Sequence, residues 1–325
     1  MGADTEKPTI LAITVNYGTP VLTLRALASL DVARREFSGL RAVCVDNASR
    51  DDSLVCIGEG MEASGYGGWA SLLASPVNGG FAAGNNLALR PALAGPDAPD
   101  YVLLLNPDAA LDPGALAALV GHLSQNPRAG IVGPRTEIGR GNHRGSAFRF
   151  PGILNSLDQG LGFGPLTRLL SRVQLAPPPR PEAHRTDWLS GGCMLIRREV
   201  FERVGLFDEA FFLYFEEVEL SHRARGAGFE SWYVPEGTIL HDAGAATGVT
   251  GEGELAQRTP AYWFASRRRC LAKTRGLLAA WVADLAWVVG ASLYGVRRLL
   301  GAPRKDPPHF FRDFVRFNLL SFRSR

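Results

Sequence analysis

Thr9-Ile-Leu-Ala-Ile-Thr-Val15, the helical pattern opened by Pro20, and Leu40-Arg-Ala-Val-Cys-Val-Asp46 decide the fold. The first segment is a short, continuous apolar run rich in β-branched residues, the pattern of a strand buried on both faces. Proline suits a first helical turn, and Leu22, Leu24, Leu27 and Leu30 carry the helical pattern onward. Leu40–Asp46 then reads as a second strand. The same alternation continues with strands at Trp69–Ala74, Tyr101–Asn106 and Ala129–Gly133. Helices are expected over Phe81–Ala94 and from Pro113 to about Leu123. A βαβα order of this kind predicts an α/β fold, a mainly parallel sheet flanked by helices on both faces.

Ligands of such sheets bind beyond the carboxyl ends of the strands. The residues there are consistently polar: Asn16-Tyr-Gly18, Asp46-Asn-Ala-Ser49, Asn78-Gly-Gly-Phe-Ala-Ala-Gly-Asn-Asn86 and Asn106-Pro-Asp108. Any one of them fits a turn or a helix cap equally well. Four on one sheet edge suit a nucleotide and its metal. The glycine-rich loop precedes a helix, whose first backbone N–H groups can approach phosphate. It is neither a Gly-Lys-Ser/Thr loop nor GxGxxG. Asp108, fixed behind Pro107, can hold a divalent cation, because magnesium takes only one or two protein carboxylates beside phosphate oxygens. His241 ends the apolar run Ser231–Leu240 and is either a second ligand or a strand-edge histidine.

The aromatic run Phe211-Phe-Leu-Tyr-Phe215 leads into Glu216, Glu217 and Glu219. In a helix over Tyr214–Gly226, Glu216 and Glu219 share a face while Glu217 points elsewhere. One carboxylate can then be structural and another can meet a substrate. An acidic helix start favoured by the dipole is the alternative.

At 325 residues, 46% hydrophobic and 21% charged, the chain has the composition of a globular protein, not a disordered one. Four cysteines without CxxC spacing fit reduced thiols in the cytoplasm. Met1–Pro8 lacks the apolar core of a signal peptide. Net charge is +3 but uneven, since Ala261–Arg325 holds 13 Lys/Arg against 3 Asp/Glu. Within this tail, Gly276–Gly295 is long and apolar, interrupted by Asp284 and flanked by Arg267-Arg-Arg269 and Arg297-Arg298. Trp281, Trp287 and Tyr294 add aromatic anchors. The pattern suits a helix lying in an anionic membrane interface, with a buried helix or a true span as the other readings. No nucleic-acid recognition motif is present.

Together these motifs resemble those of family 2 inverting glycosyltransferases with the GT-A fold, a Rossmann-like sheet. They are most similar to bacterial rhamnosyltransferases of cell-envelope glycan synthesis. Thr14-Val-Asn-Tyr17, Val45–Asp51, Asn78–Asn86, Asn106–Asp108, Trp188-Leu-Ser-Gly-Gly-Cys-Met-Leu-Ile196, Phe207-Asp-Glu209, Phe211–Leu220 and Leu240-His241 occur in family order over roughly Ile10–Gly248. The resemblance implies that Asn16, Asp46, Asn78, Gly80, Asn85, Asn106 and Asp108 bind the nucleotide donor. It gives Asp108 and His241 as ligands of Mg or Mn, and Glu217 as catalytic base. Trp188, Gly191, Gly192 and Glu216 fall between the donor and acceptor pockets. Here Asn106 replaces the first carboxylate of the family's Asp-x-Asp motif, and Glu217 stands where aspartate is commoner. The implied donor is a dTDP- or UDP-linked sugar, with dTDP-rhamnose as the specific expectation. The implied acceptor is a glycan, free or linked to polyprenyl diphosphate. A non-catalytic nucleotide-sugar-binding scaffold is the alternative. The expected division is a transferase domain over 1–255, with a nucleotide half at 9–135 and an acceptor half at 136–255, followed by a helical extension over 256–325. Thr136–Asp187 shows little periodicity. Its Arg144, Arg149 and Arg168 are candidates to meet an anionic acceptor. The whole implies a cytoplasmic protein held peripherally on the inner face of the cell membrane.

Overall fold

The computed structural model describes residues 7–139, 142–241, 257–303 and 306–320. The chain runs β1 (Ile10–Asn16), α1 (Pro20–Arg34), β2 (Leu40–Asp46), α2 (Ser53–Ala63), β3 (Ala70–Ala74), α3 (Gly80–Ala94), β4 (Tyr101–Leu105), β5 (Ala109–Leu111) and α4 (Ala115–Gln125). It continues through β6 (Ala129–Glu137), β7 (His143–Arg144), β8 (Ala147–Phe148), α5 (Ile153–Leu161), α6 (Gly164–Leu169), β9 (His184–Thr186), β10 (Trp188–Leu189) and β11 (Cys193–Arg197). The remaining elements are α7 (Arg198–Val204), α8 (Glu216–Gly226), β12 (Glu230–His241), α9 (Ala261–Arg275), α10 (Leu277–Leu299) and α11 (Phe310–Phe314).

The main sheet has the order β3-β2-β1-β4-β11-β6-β12-β5. Its first four strands are parallel; β11 enters antiparallel between β4 and β6. The expected mainly parallel sheet is therefore present, with an antiparallel insertion. Side chains of β4 alternate between two cores, as the period of a strand requires. Leu103 and Leu105 join Leu27, Leu40 and Leu119 on one face. Val102 and Leu104 join Ile13, Leu89 and Leu220 on the other.

Register fixes which polar residues meet. Parallel pairing of β1 with β2 sets Asn16 opposite Asp46. Antiparallel pairing of β12 with β5 sets His241 opposite Ala109, one residue from Asp108. The weakly patterned stretch 136–187 folds into short strands and two helices. Of these, α5 crosses α10 at backbone contact through two glycines. A Cβ on Gly160 would lie 2.3 Å from Trp287 O, and one on Gly290 would lie 2.5 Å from Leu157 O.

Helix α10 is long and apolar enough to cross a membrane, with a mean hydropathy of 1.6. Its Ala280, Ala283, Asp284, Trp287 and Gly290 face α5 and α9 and are buried. Asp284 is fully buried and takes ion pairs from Arg267 and from Arg268, the latter at 2.7 Å. The acid that interrupts the apolar run thus ties α10 to α9, and Arg267 in turn donates to Ser156 Oγ of α5 at 3.0 Å. On the opposite face Leu278, Val282, Leu285, Val289, Leu293 and Val296 are exposed.

A buried charge left without its partner is strongly destabilising. Asp284→Ala, which strands Arg267, is expected to lower stability by about 3–5 kcal/mol in urea unfolding. A loss below about 1 kcal/mol contradicts the buried pairing.

Candidate active site

At the carboxyl ends of β1, β2 and β4 the sheet opens into a cleft of about 800 Å3. This is the size of a small-molecule site. Its polar lining includes Asn47, Arg50, Asn78 and Asn106, and its aromatic lining Tyr17, Phe81, Phe212 and Tyr262.

The floor is a polar network centred on Asn16 and Asp46. Asn16 Nδ2 donates to Asp46 Oδ1 at 2.8 Å, and Ser49 Oγ donates to the same oxygen at 2.6 Å. Ser49 N donates to Asp46 Oδ2. Asn16 Oδ1 accepts from Thr19 N, Thr19 Oγ1 and Thr23 Oγ1. Both Asn16 and Asp46 are buried beneath the cleft, where they fix the loops that follow β1 and β2. Next in sequence, Asn47 reaches across to Asn78. Its Nδ2 donates to Asn78 Oδ1 and to Gly80 O, each at 3.0 Å. Sequence reasoning attached no separate role to Asn47, although it adjoins Asp46 in the same motif.

Gly80 lines the cleft with φ +82, and a Cβ there would lie 1.8 Å from Phe212 O. Phe81 N donates to that oxygen at 2.8 Å, while Gly80 N donates to Asn78 Oδ1. These two helix-start amides are therefore engaged within the protein rather than open to a phosphate. Asn85 is buried inside α3 and donates to Phe81 O.

Asn106 ends β4 with its N–H on Gly192 O at 3.0 Å, and its Oδ1 is buried without a partner among the described residues. Asp108 Oδ1 lies 3.1 Å from His241 Nε2, both side chains buried. Gly192 permits this arrangement, since a Cβ would lie 2.8 Å from the His241 ring; at Gly191 the space is open. A carboxylate, an imidazole and a nearby orphaned amide oxygen fit a divalent cation that draws its other ligands from phosphate and water. No cluster of three His, Cys, Asp or Glu occurs among the described residues.

The acidic helix starts later than expected. Tyr214 and Phe215 are left-handed, with φ of 69 and 71, and α8 begins at Glu216. Glu216 and Glu219 point inward. Glu219 pairs with Arg223 at 2.8 Å and with Lys273 at 2.6 Å. Glu217 keeps some exposure, while its Oε2 is covered and has no hydrogen-bond partner among the described residues. Glu216 Oε2 is in the same state. Burial pushes Glu217 up to about 7, against nearby backbone amides that pull it down. Burial, and then the charge of Glu217, hold Glu216 well above the usual carboxylate range. A carboxyl group that changes charge near neutrality is suited to proton transfer.

Trp188 stacks on Phe148 at 4.3 Å and donates Nε1 to Arg149 O. It packs against the cluster of Phe211 and Val218 that supports the start of α8. Arg149 donates to Ser171 O, and Arg168 is exposed on α6. The Arg144 side chain lies outside the described residues, as does the 242–248 end of the motif series.

The model of the glycosyltransferase-like family 2 matches residues 76–276. An N-acetylglucosaminyl-diphospho-decaprenol L-rhamnosyltransferase of Mycobacterium tuberculosis is 34% identical over 200 residues, covering 60% of this chain and 61% of that one. The rhamnosyltransferase WbbL of Escherichia coli K12 is 27% identical over 172 residues, 50% of this chain and 61% of that one. The chain thus spans about three fifths of each relative's length. Among solved structures, a mannosyltransferase of Pyrobaculum calidifontis in complex with GDP-Man and Mn2+ superposes with a TM-score of 0.55 at 17% identity. It covers 92% of this chain and 77% of its own. This likeness supports the GT-A fold.

The raised Glu217 has a signed consequence for stability. Its folded value of about 7 exceeds the ordinary 4.5, so its contribution is full below pH 4.5 and lost as pH rises through about 7. Glu217→Gln should flatten the fall in urea-unfolding stability across this window. A slope identical to wild type contradicts the buried setting of Glu217.

Proposed function

Because the chain belongs to the glycosyltransferase-like family 2, we propose that it moves a sugar from a nucleoside-diphosphate donor to a hydroxyl of a lipid-linked glycan, inverting the anomeric centre. One observation carries this reading. A single short turn, Phe212 to Glu217, contributes both a wall of the amide-lined cleft and a covered carboxylate poised near neutrality.

The donor lies in the cleft, where Asn47, Asn78, Asn106 and Arg50 meet its polar and anionic parts. Asp108 and His241 would hold Mg or Mn, which would supply positive charge against the diphosphate. Glu217 accepts the proton of the acceptor hydroxyl as that oxygen attacks the anomeric carbon. The bond from that carbon to the diphosphate oxygen breaks, and the electron pair leaves with the diphosphate. Phe212 and Tyr214 exclude water, which would otherwise compete with the acceptor. The two rhamnosyltransferase relatives favour L-rhamnose, and the mycobacterial one a polyprenyl-diphosphate-linked acceptor; dTDP-rhamnose is the donor inferred with them. The amide at Asn106 favours a second reading, a nucleotide-sugar-binding scaffold without transfer activity.

The extension suits attachment to an anionic membrane, on its cytoplasmic side. The outward stripe of α10 carries no charge from Leu278 to Val296, because Asp284 is turned inward and paired. It runs out beside a cavity of about 700 Å3 whose polar lining includes Arg298, Arg312, His309 and one carboxylate, Asp306. An apolar stripe beside Arg298 and Arg312 matches acyl chains beside anionic headgroups.

The donor site is tested by thermal shift with dTDP, UDP, GDP and ADP, each with and without Mn2+. One pyrimidine diphosphate should stabilise the protein, more so with Mn2+, and Asp108→Ala should abolish the metal's share. No shift with any nucleotide contradicts the reading. The membrane face is tested by co-sedimentation with phosphatidylglycerol vesicles. Wild type should pellet and Leu285→Glu/Val289→Glu should not; equal partitioning of the two would rule this face out.

A further inference from the structure

We propose that Tyr262, in the first turn of α9, binds the donor, so that the C-terminal extension completes the active site. The proposal deepens the donor-site reading and rests on it. Among the described residues, the other side chains that line the cleft come from the first 213 positions, and of these residues Tyr262 alone reaches in from beyond β12.

Its ring is part-exposed and belongs to an aromatic set. It lies 5.2 Å from Phe212 at 52° and 6.3 Å from Tyr214 at 24°. Phe212 itself is 37% exposed within the cleft. Exposed rings in a cleft whose polar lining is mostly amide have a clear use. Amides satisfy the polar edges of a ligand, and aromatic faces take the flat face of a base or the apolar face of a sugar.

Tyr262 is also firmly placed. Ser266, Arg269 and Lys273 follow it at helical spacing, so all four residues share one face of α9. That face is laid along the chain from Asp208 to Glu219. Ser266 Oγ donates to Leu213 O at 3.0 Å. Arg269 and Lys273 both grip Asp208 Oδ2 at 2.7 Å, and Lys273 reaches Glu219. The same helix face therefore presents Tyr262 to the donor and holds the turn that leads to Glu217. The ring is preorganised, which lowers the ordering cost of binding.

Calorimetric titration of wild type, Tyr262→Ala, Tyr262→Leu and Tyr262→Phe tests this, with dTDP and UDP and with dTDP-rhamnose and UDP-glucose as probes. Tyr262→Ala and Tyr262→Leu should weaken at least one bound probe by about tenfold at unchanged Tm, and Tyr262→Phe should stay within about threefold of wild type. Weakening with the free nucleotide places the ring on the base; weakening only with the nucleotide sugar places it on the sugar. Should Tyr262→Ala fail to fold, the bulk-preserving Tyr262→Leu decides. Wild-type affinity in folded Tyr262→Leu for every probe overturns the inference and leaves the donor site standing. Failure of wild type to bind any probe removes the donor reading itself, and this inference with it.

Discussion

Two consecutive non-glycine residues in the left-handed region, Tyr214 and Phe215, set the geometry on which the site depends. Such residues cost about 1–3 kcal/mol each and persist only where their surroundings hold them. The holders are identifiable. Phe81 N and Gly80 pin Phe212 from the α3 side. Ser266 pins Leu213 from the α9 side, and Phe211 is fully buried in the cluster with Phe150 and Val218. The turn then delivers a cleft wall and, within five residues, the buried Glu216 and the partly covered Glu217. A straight helical entry from Tyr214 would rotate Glu216 and Glu217 away from these positions.

Opposite the turn, the sheet performs the complementary task. Parallel register joins Asn16 to Asp46, and their hydrogen bonds use up both side chains beneath the cleft. Asn47 and Asn78 are thereby braced at its surface. Asp108 and His241, 133 residues apart, meet because β12 pairs with β5. The two halves of the site are thus built by different physics: strand register on one side, a strained turn clamped by two helices on the other.

Much of this was legible in the sequence. The strands from Ile10 to Ile131 announce themselves as apolar runs, and the polar residues after them mark the cleft. What the sequence does not carry is side-chain direction. Asn16, Asp46 and Asn85 read as ligand contacts, and the sequence does not announce that each also hydrogen-bonds a neighbouring loop or its own helix. Gly80 reads as a phosphate-loop glycine, and the sequence gives no sign that the Phe212 backbone also demands a glycine there. The tail reads as a membrane module because its length, charge and apolar run dominate. Nothing local in Ala261-Tyr-Trp-Phe264 signals that Tyr262 reaches the cleft, a consequence of how α9 packs on α8. Asp284, which looks like a flaw in an apolar helix, is the residue that joins that helix to α9.

The central claim is that Glu217 takes the acceptor's proton within a working donor site. The most direct measurement is single-turnover transfer from dTDP-rhamnose to a polyprenyl-diphosphate-linked N-acetylglucosamine, comparing wild type with Glu217→Gln at saturating donor. The result expected is an inverted product from wild type and a rate reduced by about 100-fold or more in the variant, with nucleotide affinity unchanged. Equal rates in the two proteins would contradict the assignment of Glu217 as the base.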